Sequence, residues 1–254
     1  MIIIKNHDEV ATMRRAGEIV AAAIEVTRAA VRPGATTQEL DHVAAREIAG
    51  RGAKPSFLGY RGFPATICTS VNSEIVHGIP GPRTLREGDL VKLDVGAIVD
   101  GFHADSAVTI PVGEPGPEAS KLIETTERAL WAGLAEAKAG SRLGDIGAAV
   151  QTVAEGAGFS VVREYVGHGI GRALHEEPPV PNYGSPGKGY KLGEGLVIAI
   201  EPMVNIGGHE TRLLEDGWTV VTEDGTLSAH FEHTVAVTSE GPWVLTDPEG
   251  RYAS

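Results

Sequence analysis

The stretch LVKLDVGAIVDGFHADSAVTIP, residues 90–111, reads as a β-hairpin. Two runs rich in β-branched residues flank Asp100-Gly101, a strong signal for a two-residue hairpin. With Val99 opposite Phe102, Gly96 faces Asp105 and Asp94 faces Ala107. Strand side chains alternate with period two, so Asp94 and Asp105 fall on one face as diagonal neighbours. Two carboxylates roughly 7–8 Å apart by backbone measure, and closer at their ends, repel each other. A dication between them removes the conflict. The alternative, a solvated hairpin face, fits poorly with Leu93, Val95, Val99 and Val108, which mark a buried strand.

Further residues of the same chemical kind lie downstream. Glu201 ends the apolar run Gly195–Ile200, which suits a strand buried on both faces, and Pro202 then bends or frays it. A carboxylate there needs a partner or a proton. Glu232 opens another strand, EHTVAVT, residues 232–238. His168 lies in GHGIGRALHEEP, residues 167–178, where glycines allow close backbone approach. His77, His168 and His175 all sit in turns punctuated by glycine or proline, where functional side chains concentrate. Singly, each glutamate or histidine reads as structural. Jointly, four carboxylates and one imidazole suit hard or borderline divalent cations and metal-assisted hydrolysis.

The remaining pattern suggests a plan used twice. Helices are expected from His7 to Val31, stopping at Pro33-Gly34, and from Thr36, with Glu39 at capping-box spacing, to Gly50. A strand at Ala65–Val71 precedes the hairpin, and Pro117–Lys138 reads as a long amphipathic helix. Then Gly34–Leu40 aligns with Gly140–Ile146, Gly50 and Gly52 with Gly156 and Gly158, and Glu87–Asp94 with Glu194–Glu201. Asp94 and Glu201 thus occupy equivalent strand positions. One domain over residues 1–254 is expected, with pseudo-repeats at about 34–110 and 140–238 whose strands converge on a site between them. Two unrelated α+β stretches are the alternative.

Bulk composition narrows the class. The chain has 254 residues, 42% hydrophobic and 22% charged, as is ordinary for a globular protein. A net charge of −12 argues against a general nucleic-acid binder. Cys68 is the only cysteine, which excludes an intrachain disulfide and fits a reducing compartment. No apolar run approaches the roughly 20 residues that span a bilayer, and the N-terminus is too weakly apolar for a signal peptide. A cytoplasmic protein free of membranes is expected.

Together Asp94, DGFHAD (100–105), GHGIGR (167–172), HEEP (175–178), Ile200-Glu201-Pro202 and Glu232-His233-Thr234 resemble the type I methionine aminopeptidases, from the first helix to about Thr238. The resemblance implies an α+β "pita-bread" fold, two pseudo-symmetric αβ halves with a curved, mainly antiparallel sheet covered by helices. It implies a metallopeptidase that removes the N-terminal methionine of nascent proteins and peptides, by attack of water held between two divalent ions (Co, Mn, Fe or Zn) on the first peptide bond. Position by position, it implies Asp94 as a bidentate ligand of one metal, Asp105 and Glu232 as bridges, and His168 and Glu201 as completing the other site. Glu201 would shuttle a proton, His175 would hydrogen-bond the developing oxyanion, and His77 would contact the scissile amide or its leaving nitrogen. Tyr60, Phe63, Cys68 and Trp218 would line a methionine pocket. Asn72 and Ser228 match positions whose backbone carbonyls hold a monovalent cation in some members. A monomer that meets nascent chains, with transient ribosome association, is the expected context.

Three positions depart from the common pattern: Leu174 stands for a phenylalanine, His230 for a glutamine and Ala104 for a glycine. The chain resembles the short bacterial form, without the inserted helical subdomain of type II enzymes. Proline-specific peptidases of prolidase or aminopeptidase P type share the fold and the five ligands, but usually carry an extra N-terminal domain and are not expected to have His77-Gly-Ile-Pro80. A metal-free binding module of the same fold would show broken ligand positions. Here all five are intact.

Overall fold

A computed structural model describes residues 1–247. The single-domain expectation reaches Ser254; residues 248–254 lie outside the described part. Four helices account for most of the outer layer: α1 (His7–Ala30), α2 (Thr37–Gly50), α3 (Pro117–Ala135) and α4 (Leu143–Gly156). α1 and α2 each begin in a capping box, Asn6 with Glu9 and Thr36 with Glu39, which satisfies two otherwise orphaned N–H groups per helix. α1 buries Val10, Met13, Gly17, Val20 and Ile24, a stripe at three- and four-residue spacing. α3 ends at Ala135, short of the expected Lys138, where the chain tightens into turn bonds from Glu136 and Ala137 back to Gly133 and Leu134.

The hairpin forms as its sequence dictates. Strands Leu90–Val99 and Phe102–Pro111 pair with Val99 opposite Phe102, Gly96 opposite Asp105 and Asp94 opposite Ala107. Asp100 and Gly101 both take positive φ, 49° and 81°, as a two-residue turn of this kind requires. The preceding strand is shorter than expected, Ile67–Val71 instead of Ala65–Val71.

These strands belong to a nine-stranded sheet in which neighbouring strands pair antiparallel. Its central order is Leu90–Val99, Phe102–Pro111, Glu232–Thr238, Val197–Ile200, Gly167–Gly169. Ile67–Val71 flanks the first of these strands as Gly167–Gly169 flanks Val197–Ile200, so each half contributes three strands about the central pair. α1 packs with α2 and against the first half, and α3 with α4 on the second. This is the expected pseudo-symmetry of two αβ halves.

Alternation divides the sheet into two faces. Val91, Leu93, Val95 and Ala97, with Ala104, Val108, Ile110, Ile198, Ile200, Val235 and Val237, join Val20, Ile24, Leu40 and Leu134 in one apolar core. The opposite face carries Asp94, Asp105, Glu232 and Ala199. No helix among the described residues is long and apolar enough to cross a membrane.

Candidate metal centre and cleft

The register alone brings the five candidate ligands into one row. Asp94 pairs with Ala107, and Ala107 pairs in turn with Glu232 on the next strand. Asp105, two residues before Ala107, shares its face. On the other side His233 pairs with Ile200, so one further step sets Glu232 opposite Glu201. His168 pairs with Ala199, which has the same parity as Glu201. Four of five adjacent strands, and the residue just past the end of the fifth, thus contribute one ligand-type side chain each to the same face. Ala107 and Ala199, both fully buried, leave room between them.

Side-chain geometry agrees. Single ligand atoms of Asp105, His168 and Glu232 all lie within 4.8 Å of one another. His168 Nε2 is 3.6 Å from Asp105 Oδ2 and 3.6 Å from Glu201 Oε1. His168 Nδ1 lies 2.9 Å from the carbonyl oxygen of Gly169, which can only accept. That bond holds the proton on Nδ1 and turns the Nε2 lone pair toward the carboxylates, the tautomer a metal ligand needs. The Thr234 hydroxyl lies 2.9 Å from Asp105 Oδ1 and fixes that carboxylate from below. His168 was expected in a turn; it lies instead on a three-residue strand paired on both sides, and it is buried.

The electrostatics call for positive charge. Burial raises the pKa of Asp94, Asp105, Glu201 and Glu232, that of Asp105 to about 7, and mutual repulsion raises Asp94, Glu201 and Glu232 further. Burial lowers His168 to about 4, so its imidazole is neutral. Asp94 Oδ1 is buried with no hydrogen-bond partner. Four crowded carboxylates, an orphaned carboxylate oxygen and a neutral, pre-oriented imidazole fit divalent cations as ligands.

The row floors a cleft of about 380 Å³. Tyr60, Phe63, His77, His175 and Trp218 all line it, with Leu174 and the unforeseen Glu164, Tyr165 and Arg61. Phe63 and Trp218 meet edge to face at 5.0 Å and form an apolar wall. His175 is exposed to the cleft, its Nδ1 2.8 Å from the Tyr60 hydroxyl and its ring 4.2 Å from that of His168. Desolvation, then His168 and the positive Arg61, lower it to about 3. His77 takes positive φ, 61°, and is lowered to about 4 by burial and then by His175. Both are therefore neutral N–H donors at physiological pH.

Cys68 is buried, pairs directly with Asp94 on the same sheet face, and packs in one apolar cluster with Tyr60, Phe63, Leu174 and Trp218. One expectation needs correction. The monovalent-cation position is filled by the chain itself. Lys92 Nζ donates to the carbonyl oxygens of Asn72 at 2.6 Å and Ser228 at 3.0 Å. Lys92 is 1% exposed. Its place was readable, since it lies two residues before Asp94 on the same strand face, but it is embedded in an otherwise apolar run. His230, the other departure, is buried with its Nε2 3.6 Å from Glu201 Oε2, and neither ring nitrogen has a hydrogen-bond partner.

Comparison with known proteins places this geometry among relatives. Residues 11–239 match the family described as metallopeptidase family M24. Methionine aminopeptidase 1 of Bacillus subtilis (strain 168) is 53% identical, over 97% of this chain and 99% of that protein. The crystal structure of methionine aminopeptidase from Thermotoga maritima superposes with a TM-score of 0.95 at 43% identity, covering 97% of this chain and 99% of that one. Prolidase from Pyrococcus furiosus shares the fold, with a TM-score of 0.79 at 24% identity and 66% of its own length covered.

Proposed function

The chain belongs to metallopeptidase family M24 and, within it, to the methionine aminopeptidases, and from that premise we propose how its own residues release an N-terminal methionine. Asp94, Asp105, His168, Glu201 and Glu232 would hold two divalent cations, from Mn, Fe, Co or Zn. When bound, such ions supply Lewis acidity, which polarises an amide carbonyl and lowers the pKa of water. The observation that carries this reading is the row of five ligand side chains on the cleft floor, four from strands of one sheet and Glu201 from just past the end of a fifth.

Above that floor the chain's residues divide the work. The Phe63–Trp218 wall, with Tyr60 and Leu174, receives the thioether of the first residue; aromatic faces suit a polarizable sulfur. Cys68 packs in the same apolar cluster as these residues. His175, with Nδ1 engaged by Tyr60, presents Nε2 to the carbonyl oxygen as negative charge develops there. His77 contacts the scissile amide or its leaving nitrogen. Glu201 takes a proton from the attacking water and returns it to the leaving amine. The substrates are nascent polypeptides and peptides, met by a cytoplasmic monomer near the ribosome.

Chelator-treated protein, offered Met-Ala-Ser, Ala-Ala-Ser and Ala-Pro-Ala with and without added Mn or Co, tests this reading. Metal-dependent release of free methionine from the first peptide alone is expected. Cleavage confined to Ala-Pro-Ala would move the protein toward the proline-specific peptidases. Silence on all three with metal bound would favour a binding module.

A further inference from the structure

The turn that carries His175 is held by a buried ion pair from the far end of the chain. Lys5 Nζ lies 2.7 Å from Glu176 Oε2, with side chains 2% and 6% exposed. The other Glu176 oxygen, Oε1, accepts from the backbone N–H of Ala173 at 3.2 Å. One carboxylate therefore closes the turn that contains Leu174 and His175, while Lys5 fixes that carboxylate from behind. Lys5 is itself anchored: its backbone N–H donates to Gly195 at 2.8 Å and its ammonium to the Ile3 carbonyl at 3.1 Å. Gly171 packs against the pair, since a Cβ there would come within 2.5 Å of Lys5 Cε and 2.7 Å of Glu176 Oε1.

The His175 ring lies 4.2 Å from that of His168 and stacks on Tyr60, but its side-chain hydrogen bond is the one to the Tyr60 hydroxyl, so the backbone turn decides where the ring sits. A buried ion pair contributes little net stability compared with an apolar pair of the same shape, but it is directional, and here it fixes where the turn sits. We propose that Lys5 and Glu176 are positioning residues for His175, so that the segment before α1 sets the imidazole against its target. The inference rests on the proposed role of His175 as the oxyanion donor.

The test uses the metal-loaded full chain with Met-Ala-Ser. Misplacing a reacting group by about 1 Å costs on the order of 10² in rate. Lys5→Met and Glu176→Gln should each lower kcat by about 10–100-fold, with KM and bound metal unchanged. Lys5→Arg should restore most of the loss. The apolar pair Lys5→Met/Glu176→Leu should recover thermal stability but not kcat, which separates positioning from packing and covers single variants that fold poorly. Lys5→Met should cost nothing further in a His175→Ala background, because coupled residues are not additive. Wild-type kcat in Lys5→Met, kcat restored by the apolar pair, or additive losses with His175→Ala would each overturn the inference. A His175→Ala variant that keeps its activity while Lys5→Met loses it would instead refute the role of His175.

Discussion

Metal removal should reverse how the stability of this protein depends on pH. Without metal, Asp94, Asp105, Glu201 and Glu232 have folded-state pKa values above their unfolded ones. Such groups bind more protons when folded, so the stability they contribute at low pH is lost as pH rises through the folded pKa. For Asp105, a rise from 3.8 to about 7 corresponds to roughly 4 kcal/mol lost across that window. His168 and His230 act in the opposite sense. Their folded values, about 4 and about 3 against 6.5, give stability that is present above pH 6.5 and lost below it. Lys92, lowered from 10.5 to about 7, adds stability with rising pH above 7 and offsets one carboxylate. Asp94, Glu201 and Glu232 still outnumber it. The metal-free protein should therefore lose stability as pH rises from 6.5 to 8, read as a fall in Tm. Metal keeps the carboxylates ionised, so the loaded protein should show no such fall. Thermal unfolding of chelator-treated and Mn-loaded samples at both pH values reads the difference. Metal-free protein as stable at pH 8 as at pH 6.5 would refute the reasoning, because the carboxylates would then already be ionised and hydrated.

Three shorter predictions follow from the same geometry. His175→Ala should cost about 10²–10³ in kcat with metal content unchanged, and a loss below tenfold would reject its role. Lys92→Ala should leave the buried Asn72 and Ser228 carbonyls short of a donor and destabilise by about 1–3 kcal/mol. Potassium should then raise the Tm of that variant but not of the wild type; an equal response in both would mean that Lys92 does not take the cation's place. Gly78→Ala would drive a Cβ into the carbonyl oxygen of Thr69, beside His77, and should cost about 1–3 kcal/mol. An unchanged Tm would show that the backbone there yields.

How much could be read from the chain depended on whether each signal was local. The hairpin was legible in full because Asp100-Gly101 fixes the turn and the turn fixes every pairing after it. The five candidate ligands were legible as types in strand-like contexts. That they form one row was not, because pairings such as Ala107 with Glu232 join segments more than a hundred residues apart. The same reason hid Lys5 beneath Glu176, 171 residues away. His168 looked like a turn residue because its glycines carry that local signal. Pairing with Val197–Ile200 and Glu176–Val180 makes it a strand. Lys92 was within reach of the period-two argument that found Asp94. Its ammonium partners were not, since Asn72 and Ser228 come from separate elements.

The central claim is that the carboxylate–histidine row works by holding metal. It is tested most directly by titrating Mn or Co into chelator-treated protein while measuring bound metal per chain and methionine released from Met-Ala-Ser. The account predicts no release without metal, release that rises with bound metal, and neither binding nor release in Asp105→Asn. Full methionine release by protein shown to carry no metal would contradict it.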